Sequence, residues 1–426
     1  MKLLVLVVFL LAVATPGVAQ VSINTLHADY VTEGQRQRFD AYLHDTVIGQ
    51  ALQAPLDGDG EYGYETACLA ASQFMIKDKQ LEAVYRTIIS QWGALQLSTK
   101  MAFLESVFGL YPGTFAPEIK KLLAKEKQPK LFAMEATYLL EKDTSAGNKA
   151  YLLKLIAATF ADYTKNTVLL ELRDYINNHT KYVQAATPPI IDVFSNQKAV
   201  HQKTVYSFQR WNRDYPGLAI IQNTDGSFAK DSTGKLAVFR QLARAAGNLP
   251  YFITDGNTPQ GIYSITGLRV SQNHFLGPTP NIQMVMPFED DQAFWGDTYD
   301  TRKDVLRNYL GLLPASWQNY RPITEAFYAG KAGRSAIICH GTTLNPKYFT
   351  GKPYYPISPT LGCLCAAETW DAYNGKLKES DQLRLVNTFL ATPEDNGYVI
   401  VINLNNKQLP VSRLEIEQLV NAYNSK

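Results

Sequence analysis

The sequence predicts an α+β protein: an N-terminal all-helical, solenoid-like domain followed by a β-rich domain. Three observations predict this. Apolar residues recur at helical spacing from about residue 30 to residue 180. Pro188-Pro189 then breaks the pattern. Beyond it, short β-branched runs alternate with turn residues. The chain has 426 residues, 46% hydrophobic and 19% charged, which suits two globular domains rather than a disordered chain.

The first twenty residues read MKLLVLVVFLLAVATPGVAQ. Lys2 supplies a positive start, Leu3 to Val13 an apolar core and Gly17-Val18-Ala19 a small-x-small cleavage site. This predicts a signal peptide over residues 1–19 and a mature start near Gln20. The apolar run is short for a membrane span, and a retained N-terminal anchor is the alternative. No cysteine follows the run, which argues against a lipoprotein anchor, and no later stretch is long enough to cross a bilayer. The expected location is therefore exported, in the periplasm or cell envelope.

Helices are expected over Ala67 to Ile76 and Gln80 to Trp92, the latter with Leu81, Val84, Tyr85, Ile88 and Trp92 on one face. Ser98 is a candidate N-cap for a helix carrying Met101, Leu104, Val107 and Phe108. Pro117 and Pro129 suit the first turns of Glu118 to Lys125 and Lys130 to Leu140. Further helical patterns cover Lys149 to Tyr163 and Val168 to Asn177. Starts near residues 66, 98 and 129 recur every 31 or 32 residues, as in two-helix repeats. Such a domain, residues 20–182, either offers a concave surface to a protein partner or packs beside a catalytic domain.

Residues 183–204 are the expected linker, and residues 205–426 the β-rich domain. Strands are expected at Leu218 to Gln222, Gly261 to Ile265, Ile282 to Met286, Ser335 to Cys339 and Tyr398 to Asn403. Helical patterns fall at Lys235 to Ala246, Lys303 to Leu310, Glu379 to Phe389 and Arg413 to Tyr423. The net charge of +2, without a polybasic run, points to neither nucleic acid nor anionic lipid.

Four cysteines are too few for a disulfide scaffold, yet Cys339, Cys363 and Cys365 cluster within 27 residues. GRSAIICHGTT ends a strand at His340-Gly341-Thr342, and Thr360-Leu361-Gly362-Cys363 follows. A cysteine nucleophile needs a base or a lowered pKa. A histidine at a strand end, followed by glycine, can turn its ring into a cleft. Glycine before the cysteine permits a sharp turn whose N–H groups can face a developing oxyanion. A zinc set of Cys339, His340, Cys363 and Cys365 is a competing reading, weakened because adjacent strand residues face opposite ways. A disulfide among the three clustered cysteines is another. Cys339 reads most simply as a core residue of its strand. His27, His44 and His179 read as surface residues, His201 as a linker residue and His274 as a residue of a loop that could line the cleft.

Together these residues resemble the catalytic domain of the L,D-transpeptidases, bacterial cell-wall enzymes. That family carries His-Gly, here His340-Gly341, then Ser/Thr-x-Gly-Cys, here Thr360-Leu361-Gly362-Cys363. Its upstream Thr-Pro-x-Gly segment corresponds to GNTPQGIYSI, with Thr258, Pro259, Gly261 and Tyr263. The resemblance covers about residues 205 to 410. It implies a transferase of cell-wall biogenesis, acting on peptidoglycan stem peptides, with Cys363 as nucleophile, His340 as general base and acid, and no cofactor or metal. It also implies that a backbone carbonyl holds the second ring nitrogen of His340, so that no aspartate completes a triad. Gly362, Gly341, Thr360 and Leu361 would shape the turn and oxyanion site. Thr342, Tyr354, Tyr355 and Arg334 are candidate substrate contacts. Four features depart from the family. A helical insertion over about Lys235 to Gly247 lies between the first strand and the Thr-Pro segment. Cys365 stands where arginine is usual, Leu361 stands where histidine or arginine is common, and the His-to-Cys loop is long. Arg334 and Lys352 are the basic residues that could stand in for that arginine. Other readings are a degenerate relative that only binds wall peptides, or an enzyme that acts only as an L,D-carboxypeptidase.

Overall fold

A computed structural model describes residues 20–77, 79–394 and 396–426. The signal-peptide reading lies outside the described residues. A helical region is followed by a β-rich region built on a closed eight-stranded barrel. The helices of the first region are α1 (Glu33–Ala41), α2 (Gly58–Phe74), α3 (Lys79–Ser90), α4 (Leu97–Leu110), α5 (Ala116–Leu123), α6 (Pro129–Lys142), α7 (Ala146–Thr159) and α8 (Thr167–Gln184). Pro117 and Pro129 occupy first turns, where a missing N–H costs no hydrogen bond. In α3 the stripe Leu81, Val84, Tyr85 and Ile88 is buried as its spacing predicts. Trp92 lies past the helix end, in a 3₁₀ turn.

Helices α2, α4, α6 and α8 pack in succession, with α3, α5 and α7 flanking them. Residues Ala102–Phe108 and Leu131–Leu140 are buried on every side, so α4 and α6 form the centre of this region. The even repeat spacing does not hold. Helix α2 begins at Gly58, well before the expected start, leaving unequal intervals to Leu97 and Pro129. Ser98 is not the cap of α4; that position is Gln96, whose N–H donates to Glu61 Oε1 at 2.6 Å.

Residues 183–204 are not an open linker. They contain α9 (Ile190–Ala199), and Ile190, Val193 and Phe194 pack into the barrel-side core. The N-terminal segment also crosses over. Leu26, Ala28 and Val31 pack with Trp370, Leu377 and Leu383, and Val21 N–H donates to Asn387 Oδ1 at 3.0 Å.

The strands are β1 (Thr204–Arg210), β2 (Gly217–Gln222), β3 (Phe239–Leu242), β4 (Gly261–Arg269), β5 (Asn281–Val285), β6 (Cys339–His340), β7 (Leu364–Ala366), β8 (Glu368–Trp370), β9 (Leu377–Ser380) and β10 (Gly397–Asn405). The barrel order is β1-β10-β4-β5-β6-β7-β3-β2; β8 and β9 form a separate hairpin. Pairs β1–β10 and β6–β7 are parallel, and the rest are antiparallel. Alternate residues serve two cores. Val205, Ala219, Ile221, Val399 and Val401 face one, and Tyr206, Leu218, Ile220, Ile400 and Ile402 the other. Burial on both faces explains why Tyr398 to Asn403 reads as one apolar run.

The expected helix over Lys235 to Ala246 is instead strand β3 and its flanks. Phe239 pairs with Ala219, and Leu242 with Cys365, so this segment closes the barrel between β2 and β7. Ladder hydrogen bonds to two distant strands override a local helical pattern. After α10 (Asp291–Trp295), α11 (Val305–Gly311) and α12 (Glu325–Lys331), helices α13 (Asp381–Phe389) and α14 (Arg413–Asn424) complete the fold. Among the described residues, no helix is long and apolar enough to cross a membrane.

Candidate active site

Strands β6 and β7 bring the two sequence-predicted catalytic residues together. Cys339 pairs with Leu364 and His340 with Cys365, in parallel. Side chains alternate along a strand. Cys339 and Leu364 therefore face the inner core, where Cys339 Sγ lies 3.8 Å from Met284 Sδ. His340 and Cys365 face the opposite way, and Cys363 stands on the turn just before β7. All four cysteines are free thiols, and Cys365 is buried against Leu242, Phe349 and Tyr354.

The turn at Cys363 is held from several sides. Thr360 Oγ1 accepts the Gly362 N–H at 3.1 Å and donates to the Cys363 carbonyl at 2.9 Å. Thr258 Oγ1 donates to the Gly362 carbonyl at 2.8 Å, so the upstream Thr-Pro segment is part of the same construction. Gly362 has φ +109, and a Cβ there would lie 2.2 Å from Arg334 Nη2. Only glycine fits both constraints. The Cys363 N–H donates to no acceptor among the described residues and remains open to one. Leu361 is exposed at the tip of the turn.

Cys363 is partly exposed. Its Sγ accepts the Ile338 N–H at 3.5 Å and donates to the Ala336 carbonyl at 3.6 Å. Burial pushes the thiol up to about 11, against the downward pull of the Ile338 N–H and the Arg334 charge. His340 is buried, with Nδ1 facing the Gly341 carbonyl at 2.5 Å. Burial pulls its pKa down, opposed by that hydrogen bond. The resting pair is thus a neutral thiol and a neutral imidazole. Among the described residues no hydrogen bond joins them; the thiol points instead at Ala336. Ala336 and Asp255 have φ of 58 and 57, left-handed values for non-glycine residues, and both lie against the cysteine turn.

The remaining predicted residues take other places. Arg334 is buried, and its Nη atoms donate to the carbonyls of Tyr251, Gly256 and Asn257 at 2.6–2.9 Å. It clamps the loop beneath the cysteine turn. Tyr354 is fully buried beneath the Arg244 guanidinium, 4.9 Å from its ring centre, and does not cover a channel. Tyr355 is 48% exposed. Thr342 is buried, and its carbonyl accepts from Trp370 Nε1 at 2.9 Å. His179 is not a free surface residue: it stacks on Tyr175 beside Trp211, and burial pulls its pKa down to about 4.

Sequence reasoning missed Glu368. Its carboxylate accepts the Thr342 N–H at 2.8 Å and the Ser380 hydroxyl at 2.6 Å. A Cβ on Gly341 would sit 2.1 Å from its Cδ. Glu368 therefore fixes the backbone just after His340, and Gly341 is what lets it approach. Burial raises its pKa to about 7, against the pull of those hydrogen bonds. Comparison with family models, curated proteins and solved structures finds no match for this chain.

Proposed function

We propose that this protein is a cysteine acyltransferase of the L,D-transpeptidase type, acting on peptidoglycan stem peptides outside the cytoplasm. The observation that supports this is that β6, which ends in His340, pairs in parallel with β7, which begins one residue after Cys363, with the cysteine on a rigid Gly-Cys turn. In the resting arrangement the thiol makes two weak contacts, one from the Ile338 N–H and one to the Ala336 carbonyl. Catalysis on this reading requires a rotation about χ1 of Cys363 that gives up both contacts and brings Sγ to Nε2 of His340.

Nε2 then takes the thiol proton, and Sγ attacks the carbonyl carbon of the amide that joins the L-centre of a diamino acid to D-alanine. The oxygen of the tetrahedral intermediate lies within reach of the free Cys363 N–H. Collapse breaks the C–N bond, and D-alanine leaves with the proton from His340. An amine of a second stem, or water, attacks the thioester, and its proton returns through His340 to Sγ. The amine yields a cross-link; water yields a trimmed stem.

The raised thiol pKa and the thiol's contact with Ala336 favour a second reading, a protein that binds wall peptides without cleaving them. Incubation with purified peptidoglycan, followed by mass analysis of the muropeptides, separates the readings. Dimers joined between two diamino acids indicate transpeptidation, and trimmed tripeptides indicate L,D-carboxypeptidase activity alone. Unchanged muropeptides, or products that persist in Cys363→Ala, overturn the enzymatic reading.

A further inference from the structure

A cavity of about 380 Å³ lies between α1 and the loop that follows His340. Its size falls in the range of small-molecule sites. Phe39, Phe74, Phe275, Leu344 and Tyr348 give it an apolar lining, and Tyr30, stacked on His274 at 4.6 Å between ring centres, makes one wall. Arg36 and Arg38 also line it. Cys363 does not, so the cavity is separate from the thiol.

Arg36 is the unusual member. Its Nε is buried without a hydrogen-bond partner among the described residues. Its Nη2 makes one long contact, to the Thr343 carbonyl at 3.4 Å. The acidic residues of α1 are engaged elsewhere, Glu33 with Lys347 at 3.3 Å and Asp40 with the Tyr348 hydroxyl at 3.1 Å. Neither Arg36 nor Arg38 forms an ion pair within 4 Å among the described residues. A buried guanidinium donor with no acceptor is costly and calls for one. Burial accordingly lowers the Arg36 pKa, partly offset by the charges of Glu33 and Tyr348.

We propose that this cavity binds a small carboxylate with an aromatic or aliphatic body, its anion on Arg36 and its body among the rings. The two oxygens of a carboxylate on neighbouring N–H groups of one guanidinium give the two-point geometry that such groups favour. The site stands independently of any chemistry at Cys363. Because Arg36 touches the Thr343 carbonyl, an occupied cavity bears on the loop that follows His340.

The test uses the mature chain and 1-anilinonaphthalene-8-sulfonate as a fluorescent anion, with octanoate as the competing carboxylate. One saturable site is expected, emptied by octanoate, and octanoate alone should raise the melting temperature of the unmodified protein. Arg36→Met should weaken the sulfonate about tenfold while leaving the neutral N-phenyl-1-naphthylamine unaffected. Absence of saturable binding, several equivalent weak sites, no thermal shift with octanoate, or equal loss of both dyes in Arg36→Met would each overturn the proposal.

Discussion

The hydroxyl of Thr258 donates to the carbonyl of Gly362 across 2.8 Å, tying two segments more than a hundred residues apart into one turn. Thr258 is fully buried, so the bond is made away from water. Thr258→Val keeps the shape and removes the donor, leaving the Gly362 carbonyl unpaired. A loss of about 1–3 kcal/mol in urea unfolding is expected. Alkylation of Cys363 by iodoacetamide should also change, because the turn loses a restraint. Thr258→Ser, which restores the donor, should recover most of the stability. If valine and serine behave alike, the hydroxyl does not hold the turn.

The pH dependence of that alkylation follows from the neutral resting pair. With the Cys363 pKa near 11, raised from 9.0, thiolate is scarce at neutral pH and its fraction grows throughout the alkaline range. Intrinsic labelling should keep rising from pH 7 to pH 10 instead of levelling near pH 9. His340→Ala should lower the neutral-pH rate while leaving the rate near pH 10 almost unchanged, because hydroxide then replaces the base. The folded state holds this proton to higher pH than the unfolded chain. Cys363 thus favours folding below pH 9 and ceases to do so as pH climbs toward 11.

How far the sequence exposes this site depends on how local each signal is. Gly362-Cys363 and His340-Gly341 are readable because each pairs a reactive group with the backbone freedom it needs, within two residues. The stripe on α3 is readable because its core contacts repeat every turn. Strand β3 misleads because Leu236, Phe239, Leu242 and Ala243 fall at helical spacing, while its strand partners lie in β2 and β7. Glu368 and Arg334 carry no local mark. Each is a single charged residue whose partners, Thr342 and Ser380 or Tyr251 and Gly256, are distant in sequence. Tyr354 fails for the same reason: a tyrosine in a proline-rich loop looks exposed until Arg244 is placed over it.

Gly341 and Glu368 should be coupled. Gly341→Ala drives a Cβ into the carboxyl group and is expected to cost about 1–3 kcal/mol. Glu368→Ala removes the obstacle and the acceptor of the Thr342 N–H together. Adding Gly341→Ala to Glu368→Ala should therefore cost less than adding it to the parent. Additive losses in the double-mutant cycle would place the clash elsewhere. Glu368 also sets a pH signature. Its folded-state pKa of about 7, raised from 4.5, means that the folded protein binds the extra proton between those values. Its contribution to stability is full below pH 4.5 and is lost as pH rises through 7. Glu368→Gln should flatten that slope in thermal melts.

The two regions should unfold as one. Leu249, Phe252 and Ile253 come from the loop before the Thr-Pro segment, yet they lie in the core of the helical region, with Phe252 against Tyr175 at 5.8 Å. The Arg321 guanidinium meets Glu171 of α8 at 2.6 Å, and Glu171 is 2% exposed. Separating the regions would open apolar surface and strand a buried carboxylate, so neither is expected to melt first. Urea transitions followed by helical circular dichroism and by tryptophan fluorescence should coincide; four of the five tryptophans, Trp211, Trp295, Trp317 and Trp370, lie in the β-rich region, and Trp92→Phe leaves only these. Phe252→Asp buries a charge in that shared core and should split the two curves, the helical signal moving to lower urea. Arg321→Met leaves Glu171 with the Tyr251 hydroxyl but no counter-charge and should lower stability by about 3 kcal/mol. Non-coincident curves in the unmodified protein would show that the loop docks too weakly to join the two cores.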